Sequence, residues 1–173
     1  MVDIQTISIA IASASVVAGI VYYAFQLRHQ TKIRETDLVN RLFSTIVSTE
    51  FMDASMKFLA SEFEDYKDYV SKYGPIFYMG KYGLTANDKP EHKGFTIIGN
   101  YYGHVGILLH RGLIDADLAR ECFSLTVESV WKKAEPIIQG LRKELNQPEI
   151  GKMFEYLYNE MKKREQKLQH STT

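Results

Sequence analysis

The residues able to carry chemistry are few and lie far apart in the chain. His104 and Arg111 share a helical stripe with Lys93 and Asn100, and Glu128, Trp131 and Arg142 follow in a later helical run. Brought together, these five would offer a base, a carboxylate, two guanidinium groups and an indole wall. That is the equipment of a small-ligand cleft. The competing expectation is a solvated face, because the stripe lies opposite Ile98, Tyr101, Val105 and Leu108. His104 and His110 are six apart, on different helical faces, whereas a helical zinc pair needs i and i+4. Cys122 is the only cysteine, so neither an internal disulfide nor a Cys-based zinc site can form. It reads as a small buried residue of a helix. The acidic group Glu62, Glu64, Asp65 and Asp68 lacks the alternating ligands and central glycine of a calcium loop. "GNYYGHVG" spaces Gly99, Gly103 and Gly106 by four and three inside an apolar helix, without a preceding strand. That spacing suits close helix packing and not a dinucleotide loop. No catalytic residue, metal ligand set or cofactor site is expected.

Composition limits the remaining classes. The 173 residues are 45% hydrophobic and 24% charged, which is a globular balance. Formal net charge is zero, so no basic field draws nucleic acid. Charge is unevenly spread: no Lys or Arg precedes Arg28.

The elements that position any site begin with "IQTISIAIASASVVAGIVYYAFQLRHQTK". No charge occurs from Ile4 to Leu27, a helix of about 36 Å against a hydrocarbon core of about 30 Å. A cleaved signal would carry a basic start, and a core helix would carry a charged face; neither is present. A transmembrane anchor is therefore expected over residues 1–30, followed by a helical domain over 31–173. Ile7, Ile9, Ile11, Val16, Val17, Ile20 and Val21 would meet lipid tails, with Tyr22 and Tyr23 at the headgroups. Arg28, Lys32 and Arg34 beyond the run, against Asp3 before it, predict an outside amino terminus and a cytoplasmic body in the cell membrane. Ser8, Ala12, Ser15 and Gly19 form a small-residue stripe on which two such helices could pair. The partners expected are the lipid bilayer, a second copy of the chain in a homodimer, and an unidentified protein, with no nucleic acid.

The body reads as all-α, a bundle of about five helices with no strand. Leu38, Leu42, Thr45, Thr49, Met52, Met56, Leu59 and Phe63 recur with a period of 3.5. They predict one long helix to about Glu64, its seam packed in the bundle core, with intermolecular coiling as the alternative. Gly74-Pro75 ends the next helix, and residues 74–88 read as an irregular loop. Asp88, Pro90 and Glu91 predict a capped helix start, and Gly112 its end. Asp115 caps a further helix, broken near Phe123-Ser124 and kinked or restarted at Pro136. Asn146 and Pro148 precede a last helix whose apolar side holds Met153, Phe154, Leu157, Tyr158 and Met161.

In order and spacing, "GHVGILLHRGLIDADLARECF", "VWKKAEPIIQGLRKELN" and "FEYLYNEMKKRE" resemble the prokaryotic family called domain of unknown function 4760. The resemblance implies a small single-pass membrane protein with a helical cytoplasmic body, and brings no activity or catalytic residue. The function expected is that of an interaction, scaffold or signalling module. The alternative is a membrane-anchored enzyme or ligand sensor with its cleft near His104, Glu128 and Trp131.

Overall fold

The computed structural model describes residues 3–80, 83–86 and 89–171. They form two compact units, Met1–Asn40 and Arg41–Thr173. Helix α1 runs without interruption from Ile4 to Ile46. Its hydroxyls bond back to the turn before them: Ser8 Oγ donates to the Ile4 carbonyl at 3.0 Å and Ser15 Oγ to Ile11 at 2.8 Å. Polar side chains thus cost the apolar run little.

The second unit is helical, built from the end of α1 and five further helices. Ser48 interrupts the expected long helix. Its side chain accepts from the Phe51 amide at 3.3 Å and starts α2 (Thr49–Ala60). A serine there offers the orphan amides of a new helix a better partner than continuation does. Asp65 caps α3 (Tyr66–Tyr73) in the same way, and Asp68 returns a bond to the Glu64 amide at 3.0 Å. α4 (Pro90–His110) starts differently from expectation. Lys89 holds its cap position with no side-chain cap bond, and Asp88 lies outside the described residues. Pro90, with φ preset and no amide to satisfy, makes a side-chain cap less necessary. The end is as expected: Gly112 takes φ +64, and the Leu113 amide reaches back to the Leu108 carbonyl at 2.9 Å.

Asp115 caps α5 (Ala116–Glu144), accepting from Asp117 and Leu118 at 2.8 and 3.1 Å. The helix passes through Phe123-Ser124 without the expected break, and of the two expectations at Pro136, a kink or a restart, the restart does not occur. Pro136 removes one backbone bond. Ile137, Ile138 and Leu141 beyond it are buried to 2% exposure or less, and that packing holds the turn in place. Asn146, at φ +50, closes the end, and α6 (Lys152–Ser171) returns with Phe154, Leu157 and Met161 buried.

The all-α class holds with one addition. Residues read as an irregular loop contain a β-hairpin, β1 (Phe77–Gly80) antiparallel to β2 (Gly83–Ala86), with Phe77 opposite Ala86. Four-residue strands are too short for a period-two pattern to stand out from a loop.

α4 is the centre of the body, packed on α2, α5 and α6. Close backbone approach occurs at two glycines of α4, of which only Gly106 belongs to the expected stripe of Gly99, Gly103 and Gly106. A Cβ on Gly94 would strike the Ala54 carbonyl of α2, and one on Gly106 the Met153 carbonyl at the start of α6. Gly99 and Gly103 have open space, so the approach does not follow the whole glycine stripe.

Candidate functional site

The first unit presents an apolar surface. Ile9, Ile11, Val16, Val17, Ile20, Val21, Tyr22, Tyr23, Phe25 and Leu27 are all exposed, between 47% and 69%. Ser8, Ala12, Ser15 and Gly19 are exposed too, and the side chain of Ile7 lies outside the described ones. Beyond them Arg28, His29, Lys32 and Arg34 project from the same helix, all exposed. Among the described residues, one helix is long and apolar enough to cross a membrane. It lies near the amino terminus, and none of its most apolar window is buried.

In the body, the cleft candidates separate. His104 is exposed on α4 and Arg111 is exposed just past its end, in line with Lys93 and Asn100, as a solvated face requires. Glu128 pairs with Lys132 at 2.7 Å, and that bond holds its carboxyl below the usual range, a poor setting for a general base. Glu128 also lines a small cleft of about 150 Å³ with Ser124, Tyr158 and Lys162, which none of the other four shares. Trp131 is 2% exposed, edge-on to Phe154 and stacked on Tyr158 at 5.6 Å. Arg142 ties down the α5–α6 connection: Nε donates to the Ile150 carbonyl at 2.8 Å and a terminal nitrogen to Glu155 at 2.7 Å. Cys122 is half-buried, and burial pushes its thiol up and away from reactivity. No group of three His, Cys, Asp or Glu able to hold a metal occurs among the described residues.

The buried polar cluster was not anticipated. His92, in the first turn of α4, is 1% exposed. Its Nδ1 lies 2.9 Å from the Tyr69 hydroxyl and its Nε2 3.0 Å from the Tyr73 carbonyl. A carbonyl only accepts, so Nε2 carries the proton, Nδ1 accepts from Tyr69, and the neutral ring is fully satisfied. Burial lowers the His92 pKa and raises that of Tyr69. His92 therefore joins the end of α3 to the start of α4, the two stems between which the hairpin emerges. The sequence did carry a signal: His92, Phe95, Ile98, Tyr102, Val105 and Leu109 follow the period of α4's buried face.

A groove of about 740 Å³ opens between α3 and α5, lined by Tyr66, Val70, Pro136 and Gly140 with Lys67 and Lys143. The Tyr66 ring lies where a Gly140 side chain would be, and its hydroxyl donates to Glu144.

The pattern of the family described as Domain of unknown function (DUF4760) matches residues 10–161. The chain belongs to that family. The match covers most of α1, the hairpin and all of the body's helices up to the middle of α6, so DUF4760 takes in the apolar helix and the bundle together. No curated protein and no solved structure matches the chain.

Proposed function

We propose that this DUF4760 protein is a single-pass membrane protein whose helical body faces the cytoplasm and serves as an interaction module. The observation that supports it is the apolar surface of α1. Ten large apolar side chains from Ile9 to Leu27 are exposed around most of one helix, the rest of which is the small-residue stripe. Water does not tolerate a surface of that extent, and a hydrocarbon layer of about 30 Å accommodates it. The back-bonded hydroxyls of Ser8 and Ser15 fit the same solvent. Arg28, Lys32 and Arg34 at its exit favour the cytoplasmic side for the body. The interaction role rests on apolar residues left exposed on the body, Met52, Met56, Leu59 and Leu113 among them.

Alkaline washing of membranes from expressing cells tests the anchor. Full-length protein stays in the pellet if α1 spans, and its release to the supernatant sinks the reading. Orientation is read separately, by labelling an Asp3→Cys variant in intact cells with a membrane-impermeant maleimide. Labelling there, with none of a Lys143→Cys variant, is the expected pattern.

A further inference from the structure

Between Asp3 and Glu35 the chain has no acidic residue, and its first cations, Arg28, Lys32 and Arg34, follow directly on the apolar run that ends at Leu27. All three are exposed, as is His29. Among the described residues none of these four side chains makes an ion pair or a hydrogen bond. By contrast, Lys57, Lys132 and Lys163 each pair with a carboxylate of their own helix.

Place along the helix decides what these cations reach. A bilayer adds a headgroup layer of about 5–8 Å to each side of its hydrocarbon core. At 1.5 Å per residue, Arg28, His29 and Lys32 lie about 1.5, 3 and 7.5 Å beyond Leu27, and Arg34 about 10.5 Å. The first three stand in the headgroup layer and Arg34 past it, with Glu35 and Asp37 farther out still. Direction separates them in the same way. At about 100° per residue, Arg28, Lys32 and His29 share a sector of about 100°, with Phe25 above its middle, and Arg34 is at least about 120° from each. Arg28 and Lys32 are i, i+4 neighbours, about 5–6 Å apart at Cβ. Their Cα–Cβ bonds lean toward the helix amino terminus, which is the membrane side, so both reach back over one spot. His29 and Lys32 also line a shallow hollow of about 460 Å³ on this face, with Thr36 and Asn40 and, at its far end, Asp37.

We propose that Arg28, Lys32 and His29 hold the phosphate of an anionic phospholipid of the cytoplasmic leaflet, whose chains lie along Val21 and Phe25. The inference rests on the reading that α1 crosses the bilayer with its basic exit inside. The two cations and an imidazole N–H match the phosphate oxygens. A zwitterionic lipid brings its own cation beside the phosphate, which Arg28 and Lys32 repel, so the site selects the anionic class. Val21 and Phe25, 49% and 66% exposed, give the chains a surface that a soluble phosphate would not use.

The test is native mass spectrometry of the full-length protein in detergent, mixed with equal amounts of phosphatidylglycerol and phosphatidylcholine. Bound phosphatidylglycerol should exceed phosphatidylcholine. Arg28→Gln and Lys32→Gln should each lower that preference roughly fivefold, equivalent to about 1 kcal/mol. Arg34→Gln, which removes the same charge from the other face, should leave it near the wild-type value, and Lys32→Arg should keep it. No preference in the wild type, or a loss from Arg34→Gln equal to that from Lys32→Gln, would overturn the proposal. Displacement of the lipid by inorganic phosphate at constant ionic strength would do so too, by making this a site for soluble phosphate. Alkaline washing of the same membranes keeps the two readings apart. Wild-type protein that stays in the pellet yet shows no lipid preference sinks this inference alone, whereas its release sinks the span and the lipid site together.

Discussion

α1 and α5 both carry many large apolar side chains, and these come to opposite ends. In α5, Val127, Trp131, Ile137 and Leu141 are at most 2% exposed, whereas in α1, Ile9, Val17, Ile20 and Phe25 are at least 59% exposed. The difference lies in the arrangement of the apolar residues as well as in their number: α1 carries no charge from Ile4 to Leu27, whereas α5 is rich in Asp, Glu, Lys and Arg. α5 gathers its apolar residues on one face, leaving Glu128, Lys132 and Glu135 outside, so one side packs and the other dissolves. From Ile4 to Leu27 α1 has no charged face to leave in water. Burying each large side chain stabilises by about 1.5–3 kcal/mol. α5 gains this from the protein itself, whereas the large apolar side chains of α1 from Ile9 to Leu27 are left exposed by it.

Three experiments sharpen this contrast. Trp131→Ala should have the largest effect, lowering the body's stability by about 3–5 kcal/mol in denaturant titration. Tyr22→Ala, on α1, should leave that midpoint unchanged. An equal loss from both would mean that α1 is part of a folded core. Val16→Lys comes next. At the middle of the apolar run a lysine costs about 2.5–3.5 kcal/mol of insertion, so the alkaline-washed pellet should lose protein while the body's midpoint holds. Retention at the wild-type level would break the comparison.

The smallest effect is on pH. His92 is held neutral, its pKa lowered in the folded chain by burial. Below about pH 6.5 the unfolded chain takes up a proton that the folded one refuses. Its contribution is complete above that pH and falls away as pH drops, by at most about 1.4 kcal/mol per pH unit. His92→Gln should lower stability at neutral pH yet flatten this slope between about pH 6.5 and 5. A variant with the unaltered slope would show that another group titrates there.

Much of this was legible in the residues. The apolar α1, the Asp115 cap, the Gly112 and Asn146 endings and the buried side of α6 all rest on local rules, in which a side chain acts on its own turn or its own face. The errors arose where distant parts compete. Ser48 ended a helix whose apolar period ran on. α5 did not break at Phe123-Ser124 and did not restart at Pro136, where the packing of Ile137, Ile138 and Leu141 outweighed a lost backbone bond. His92 looked like any polar residue near a helix start until Tyr69 and the Tyr73 carbonyl closed around it.

By itself, then, the sequence determined most of the helical segments, that the first carries no charge from Ile4 to Leu27, and that no basic charge comes before Arg28. Periodicity and capping are properties of neighbours along the chain, so they can be read without knowing the fold. Only the tertiary structure decided that α2 buries Phe51, Ala54 and Phe58 and leaves Met52, Met56 and Leu59, part of the expected seam, exposed. It also decided where Gly94 and Gly106 let backbones touch, and that Trp131 and Arg142 brace the bundle while His104 and Arg111 face water. Those outcomes depend on which surfaces fit each other in space, and shape complementarity between distant helices leaves no period in the sequence.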